Sequence, residues 1–320
     1  MQMATTAAFG SFLLGLLLLA LGGDSIVKAA SGLAVRLGAS PFLAGLLLVA
    51  FGTSLPELAF NLRAVAAGYA EMALGNAVGS NIANIGLTLG VAAMAAPLAV
   101  RMRLLSPLLL LLLLATVVVI GFGLDGAIDR LEGAILLLVF VVLLFLLPGR
   151  GKREDPVVQA GVAAFAQTRT ELRLNLLRLV VALALLYFGA GLLVRSAPAL
   201  GQAWGLSPLL VGLLPVAIAT ALPEAVAAIV AARRGQGDMV AGHVIGSSLF
   251  NLLVIIGGMA LWRPMPLPAS FVRLELPAAI AFALVLYPML RGDLKISRTE
   301  GAILFGAFLG WVVLELLLVG

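Results

Sequence analysis

The chain has no cysteine and one histidine, His243, in 320 residues. Disulfides, thiolate metal centres and cysteine nucleophiles are therefore excluded, and no His-Glu-x-x-His zinc motif is present. Charge is scarce too: 11% of residues are charged and 62% are hydrophobic, with a mean hydropathy of +1.18. A soluble domain of this length has no use for so much apolar surface. The apolar residues instead form runs of about 20, the length of helix that crosses a bilayer. They do not form the short alternating segments of a membrane barrel. The N-terminus lacks the basic segment that opens a signal peptide, so the first run is expected to remain as a span. The net charge of +5 is explained by where the basic residues fall and is not a nucleic-acid signal.

Ten spans are expected, at roughly Phe9–Ile26, Pro41–Gly68, a third ending near Pro97, Leu104–Leu124, Gly133–Leu147, 174–197, 208–233, 238–262, 270–290 and 300–318. Spans four and five carry no charge and read as lipid-facing supports. Residues 149–172, with Arg150, Lys152, Arg153, Glu154 and Asp155, form the longest polar stretch and read as a cytoplasmic linker. It separates a first five-helix repeat (1–148) from a second (173–320). A shift of 167 residues maps Thr53 on Thr220, Leu55-Pro56-Glu57 on Leu222-Pro223-Glu224, Gly75 on Gly242, Gly79-Ser80 on Gly246-Ser247 and Asn84 on Asn251. No gap is needed from residue 40 to 97. Matches of Pro, Glu, Asn and Ser at one offset mark an internal duplication. Five spans per copy is an odd number, so the copies cross the membrane in opposite senses. The fold class expected is an all-α polytopic membrane protein of ten helices in two inverted five-helix repeats. Such repeats are a transporter architecture with the substrate site near the midplane.

Charge placement agrees. Loops after the odd-numbered spans hold fifteen of the twenty Lys and Arg residues, among them Arg101, Arg103, Arg150, Arg233, Arg234 and Lys295. That side is expected to be cytoplasmic, which places both termini outside and the protein in the inner (plasma) membrane.

Glu57 and Glu224 each sit inside an apolar run, one residue after a proline. A carboxylate within a span is costly and marks a functional site by default. Thr53 and Glu57 are spaced i,i+4 and share a helix face, with Ser54 beside them. Ser80 and Asn84 have the same spacing, as do Thr220 with Glu224 and Ser247 with Asn251. Pro56 and Pro223 displace a carbonyl one turn earlier, and such carbonyls are tolerated at membrane depth where they line a cavity. Every donor is an oxygen, a set that suits hard cations such as Ca²⁺ or Na⁺ and not zinc or copper. Removing a carboxylate from water favours its protonated form, so protons are expected to compete. Plainer readings stand beside these: span Ser and Thr residues bond their own helix, and small polar residues mediate helix contact. His243 reads as a packing residue rather than a ligand. Glu71 and Asp238 read as solvated or capping residues, and Asp24, Glu275 and Glu315 as interfacial.

The first repeat, Gly52-Thr53-Ser54-Leu55-Pro56-Glu57 then Gly75-Asn76-Ala77-Val78-Gly79-Ser80-Asn81-Ile82-Ala83-Asn84, resembles the α-repeat of the cation/calcium exchanger superfamily. With its ten-span inverted duplication the chain is similar to compact prokaryotic sodium/calcium exchangers. The resemblance implies an antiporter exchanging Ca²⁺ for Na⁺ by alternating access, with spans one and six sliding past spans two, three, seven and eight. It implies Glu57 and Glu224 as shared ligands; oxygens from Thr53, Ser54, Ser80, Thr220 and Ser247; Asn84 and Asn251 at the centre; and carbonyls near Ala50 and Ala217. It implies no enzyme activity and no cofactor, only transported Ca²⁺ and Na⁺, with inorganic cations and the bilayer as partners, no nucleic acid, and a monomer as the simplest assembly. The second repeat departs from the pattern: Ala221 replaces the motif Ser, His243 and Ser248 each replace Asn, and Ala225 follows Glu224 where Leu is usual. The missing hydroxyl makes H⁺/Ca²⁺ antiport the competing expectation. A channel or a non-transporting scaffold are the readings from other classes.

Overall fold

The computed structural model describes residues 2–39, 44–45, 48, 51–151, 153–165, 167–291 and 294–318. Among the described residues the regular structure is helical apart from four two-residue strands. Helix α1 (Gln2–Arg36) is followed by α2 (Leu55–Ala66), α3 (Ala70–Ala95), α4 (Leu105–Phe122), α5 (Arg130–Gly151), the short α6 (Pro156–Phe165), α7 (Leu172–Trp204), α8 (Pro208–Arg233), α9 (Gly237–Trp262), α10 (Leu276–Arg291) and α11 (Arg298–Leu318). Nine helices among the described residues are long and apolar enough to cross a membrane. The expected second span holds α2, and its first half falls mainly on residues outside the described set.

The buried share of each span separates the core from its support. In α3 and α9, 89% and 83% of the most apolar window is buried, against 22–44% in the other spans. These two carry the Gly-Ser and Asn motifs, and their small residues let backbones approach. A methyl group on Gly75 would meet the Leu209 carbonyl oxygen, one on Gly79 that of Leu213, and one on Gly212 that of Met72. Helices α3 and α8 thus meet backbone to backbone. The long α1 and α7 pack along each other, with Gly15 against Gly189 and Leu193. Helices α4 and α5 expose Leu110, Leu114, Leu138 and Phe145, as expected of lipid-facing supports.

Strands β1 (Leu98–Ala99), β2 (Ala127–Ile128), β3 (Met265–Pro266) and β4 (Lys295–Ile296) pair antiparallel as β1 with β4 and β2 with β3. Only α4 separates β1 from β2, so the two pairs lie at opposite ends of the bundle. The repeat relation places β1 on β3 and β2 on β4, so equivalent elements sit at opposite ends, and the inversion follows from pairing alone. The repeat extends past residue 97 once one residue is inserted. Gly126 and Leu294 both adopt left-handed φ, 93° and 55°, and their carbonyls accept from Leu267 N and Val100 N at 2.9 and 2.7 Å. Asp129 with Glu132, and Ser297 with Glu300, form matching reciprocal caps at the starts of α5 and α11.

The stretch read as a linker is folded. It contains α6, with Val158 and Val162 buried, and the Glu154 carboxylate accepts from Arg103 N and Leu104 N at 3.0 and 2.7 Å. In the sequence its apolar residues are masked by the charges beside them. Asp238, expected to be solvated or capping, instead ties down the loop after β1, accepting from Arg101 N and Met102 N at 2.6 and 2.7 Å. Glu275 and Glu315, expected at the interface, are wholly enclosed by protein, because α10 and α11 pack inward on α4 and α3.

Candidate cation site

In the first repeat Gly52–Ser54 winds as a 3-10 turn ahead of α2, and Pro56 sits in the first helical turn, where its missing N–H costs nothing. The break therefore precedes the proline, and it presents Thr53, Ser54 and Glu57 together. In the second repeat Pro223 lies inside unbroken helix, after a π-helical stretch at Gly212–Val216. Here the Thr220 hydroxyl donates to the carbonyls of Val216 and Ala217 at 3.0 and 3.1 Å. Thr220 thus follows the plainer reading, and the Ala217 carbonyl, an expected ligand, is already engaged by a hydroxyl. Ala50 lies outside the described residues. Asn84 and Asn251 each open a π-helical stretch, Asn84–Leu89 and Asn251–Ile256, a distortion common at functional positions.

Thr53, Pro56 and Glu57 of the first repeat, and Thr220, Pro223 and Glu224 of the second, line one cavity of about 370 Å³. Helix α1 closes another wall with Gly23, Asp24 and Val27. Asp24 forms an exposed ion pair with Lys28 at 2.6 Å. Glu57 is 3% exposed, and the Glu224 side chain 10%. Among the described residues, none donates a hydrogen bond to Oε2 of Glu57 or to either oxygen of Glu224. Buried acceptors without donors are costly in the absence of a cation. His243 joins them: its Nδ1 is hydrogen-bonded to Thr53 Oγ1 at 2.8 Å, and its Nε2 lies 3.4 Å from Glu224 Oε2.

The remaining expected ligands form a buried layer outside the cavity lining. The hydroxyls of Ser54 and Ser247 lie 2.6 Å apart across the repeats. Asn84 donates to Ser247 Oγ at 3.1 Å, and Asn251 to Asn81 Oδ1 at 3.0 Å. Ser80 Oγ has no hydrogen-bond partner among the described residues. The repeat relation explains why. Ser54–Ser247 has as its mate Ala221–Ser80, and Ala221 offers no hydroxyl. A second broken pair is Asn61–Asn76, bonded at 2.8 Å, whose mate is Ala228–His243. With alanine opposite, the imidazole turns across the repeats to Thr53. The departure of His243 from the motif was visible in the sequence; that it faces the cavity was not.

The cavity is one-sided. Along α8 it runs from Ala219 to Ala231, and along α9 from His243 back to Met239, toward Arg233, Arg234 and the β1–β4 pair. The mates of its lining residues Ala227, Ala228, Ala231, Met239 and Val240 are Phe60, Asn61, Ala64, Met72 and Ala73. All five mates are wholly buried. Phe60 in place of alanine, with the Asn61–Asn76 bond, fills the corresponding space at the other end.

Inverted halves that each deliver a Pro-Glu segment to one acidic cavity inside a membrane-spanning bundle define a secondary transporter. The family model described as "Sodium/calcium exchanger protein" matches residues 7–148 and 174–317. The putative antiporter CaxA of Alkalimonas amylolytica is 36% identical over 305 residues, covering 93% of this chain and 95% of that protein. The sodium/calcium exchanger MaX1 of Methanosarcina acetivorans is 29% identical over 343 residues, 96% of this chain and 98% of that protein. A solved structure of the sodium-calcium exchanger NCX_Mj superposes with a TM-score of 0.68 at 29% identity, covering 97% of this chain and 99% of that one. The chain belongs to the sodium/calcium exchanger family, membrane proteins that exchange inorganic cations.

Proposed function

We propose that the protein is a Ca²⁺ antiporter driven by Na⁺, with Glu57 and Glu224 as the central ligands shared by the two ions. One observation carries this reading. The two duplicated carboxylates face one cavity, and three of their oxygens lack any donor among the described residues. Their combined charge of −2 balances one Ca²⁺ or two Na⁺. Thr53, with Thr220 once its hydroxyl leaves its own helix, adds oxygens from both repeats. Ser54, Ser80, Ser247, Asn84 and Asn251 support the site from the layer behind.

The cavity extends toward the basic end of the bundle, the cytoplasmic end by charge placement. This conformation therefore presents the site to the cytoplasm, in the inner membrane, with both termini outside. Alternating access would fill the cavity and open the mate space now occupied by Phe60 and Asn61. A second reading, H⁺ in place of Na⁺, is favoured by the missing hydroxyl at Ala221.

The test is ⁴⁵Ca²⁺ uptake into proteoliposomes under an outward Na⁺ gradient or, in parallel, an outward H⁺ gradient. Uptake driven by Na⁺ and abolished in Glu57→Gln and Glu224→Gln supports the reading. Uptake driven by H⁺ alone replaces Na⁺ with H⁺. Flux that needs no counter-ion would mean a channel, and full activity in either variant would remove the glutamates from the site.

A further inference from the structure

His243 is the one cavity residue whose chemistry differs in kind from an all-oxygen site. It is positioned by the other repeat through Thr53, 2.8 Å from its Nδ1, and its second nitrogen points at Glu224. The separation of Nε2 from Glu224 Oε2, 3.4 Å, is long for a hydrogen bond. It does match two donors on one metal ion: bonds of about 2.1 Å at angles of roughly 90–110° put the donor atoms about 3.0–3.4 Å apart. No described residue donates a hydrogen bond to either oxygen of Glu224, which leaves the carboxylate available to a cation. The Thr53–Nδ1 contact holds the ring so that Nε2 faces Glu224, and in the tautomer with Nδ1–H donating to Thr53 Oγ1 it is the Nε2 lone pair that is turned to the cavity.

We infer that His243 is a cation ligand, and that it makes the second-repeat half of the cavity a mixed imidazole–carboxylate site accepting divalent transition-metal ions, such as Mn²⁺ and Co²⁺, alongside Ca²⁺. This rests on the reading that the cavity binds the transported cation. The ligand change has a direction: an amide oxygen suits hard cations, whereas imidazole favours the later first-row metals. The first repeat keeps Asn76 at the equivalent place, tied to Asn61. The two halves therefore offer different donors, an oxygen-only side at Glu57 and a nitrogen-containing side at Glu224. A first-row ion would sit nearer Glu224, and Ca²⁺, which needs more oxygens, would span both carboxylates.

Two measurements test this. Mn²⁺ added to the purified protein is examined by pulsed electron paramagnetic resonance for ¹⁴N coupling, in the natural protein, in His243→Asn and in His243→Gln. Direct ¹⁴N coupling is expected in the natural protein and absent in both variants; its absence in the natural protein overturns the inference. In proteoliposomes, Mn²⁺ and Sr²⁺ compete against ⁴⁵Ca²⁺ flux. The potency of Mn²⁺ relative to Sr²⁺ should fall about tenfold or more in His243→Asn, since loss of even an outer-shell contact costs a transition metal that much affinity. An equal relative potency in both proteins overturns the inference while leaving the exchanger reading intact. ¹⁴N coupling in a protein that moves no Ca²⁺, or moves it equally well as Glu57→Gln, upholds the ligand and sinks the exchanger reading. Should His243→Asn fail to fold, the natural protein's spectrum and His243→Gln decide.

Discussion

Ser80 and Ser247 are equivalent residues in equivalent helices, yet they should respond oppositely to the same substitution. Ser247 Oγ is bonded to the Ser54 hydroxyl at 2.6 Å and accepts from Asn84 at 3.1 Å. Ser247→Ala leaves both partners buried without a mate, at about 1 kcal/mol or more each, or roughly 2–3 kcal/mol together. Ser80 is 2% exposed as a residue, and its Oγ has no hydrogen-bond partner among the described residues. Its removal by Ser80→Ala also deletes an unsatisfied buried group, so the change should be neutral or stabilising by up to about 1 kcal/mol. Ala221→Ser supplies the missing hydroxyl, and with Ser80 present it should gain about 1 kcal/mol that vanishes in the double variant Ala221→Ser/Ser80→Ala. Reversible unfolding in mixed micelles measures all four proteins. Equal costs for Ser80→Ala and Ser247→Ala would refute the reasoning, as would a gain from Ala221→Ser that survives loss of Ser80. The same hydroxyl restores the motif, so Ala221→Ser should lower the Na⁺ concentration that half-activates Ca²⁺ flux.

Glu224→Gln removes one charge from the cation, at a cost of about 3 kcal/mol or roughly a hundredfold in affinity; equilibrium ⁴⁵Ca²⁺ binding reads it directly. Gly212→Ala pushes a methyl into the Met72 carbonyl and should separate α8 from α3, with a loss of about 1–3 kcal/mol seen as lowered thermal stability in detergent. Asp238→Ala strips the acceptor from two backbone N–H groups and should cost about 1–3 kcal/mol, whereas Glu71→Ala, its exposed repeat mate, should be silent in the same measurement.

Much of the fold was legible because a bilayer allows few solutions. Run length gave the spans, the constant offset from Thr53–Thr220 to Asn84–Asn251 gave the duplication, and the odd span count gave the inversion. The folded state of residues 156–165 was hidden by the charges beside it, and the enclosure of Glu275 and Glu315 depends on long-range packing that local hydropathy does not carry. At the candidate site, the types of donor were readable and their allegiances were not. Ser54 and Ser247 share a bond because two repeats interlock, and Thr220 turns away because a carbonyl of its own helix is nearer. The turn of His243 toward Thr53 follows from Ala228, fifteen positions away, a dependence visible only once the repeats are superposed in space.

The two strand pairs have a mechanical consequence. Each fastens a loop of one half to a loop of the other, one at either end of the bundle. The halves are buckled together top and bottom, and cannot part along their shared seam without tearing both buckles. Among the described residues, none of α1, α2, α7 and α8 carries a strand. The pairs thereby clasp the stretch from α3 to α5 against the stretch from α9 to α11, and leave α1, α2, α7 and α8 outside the clasp.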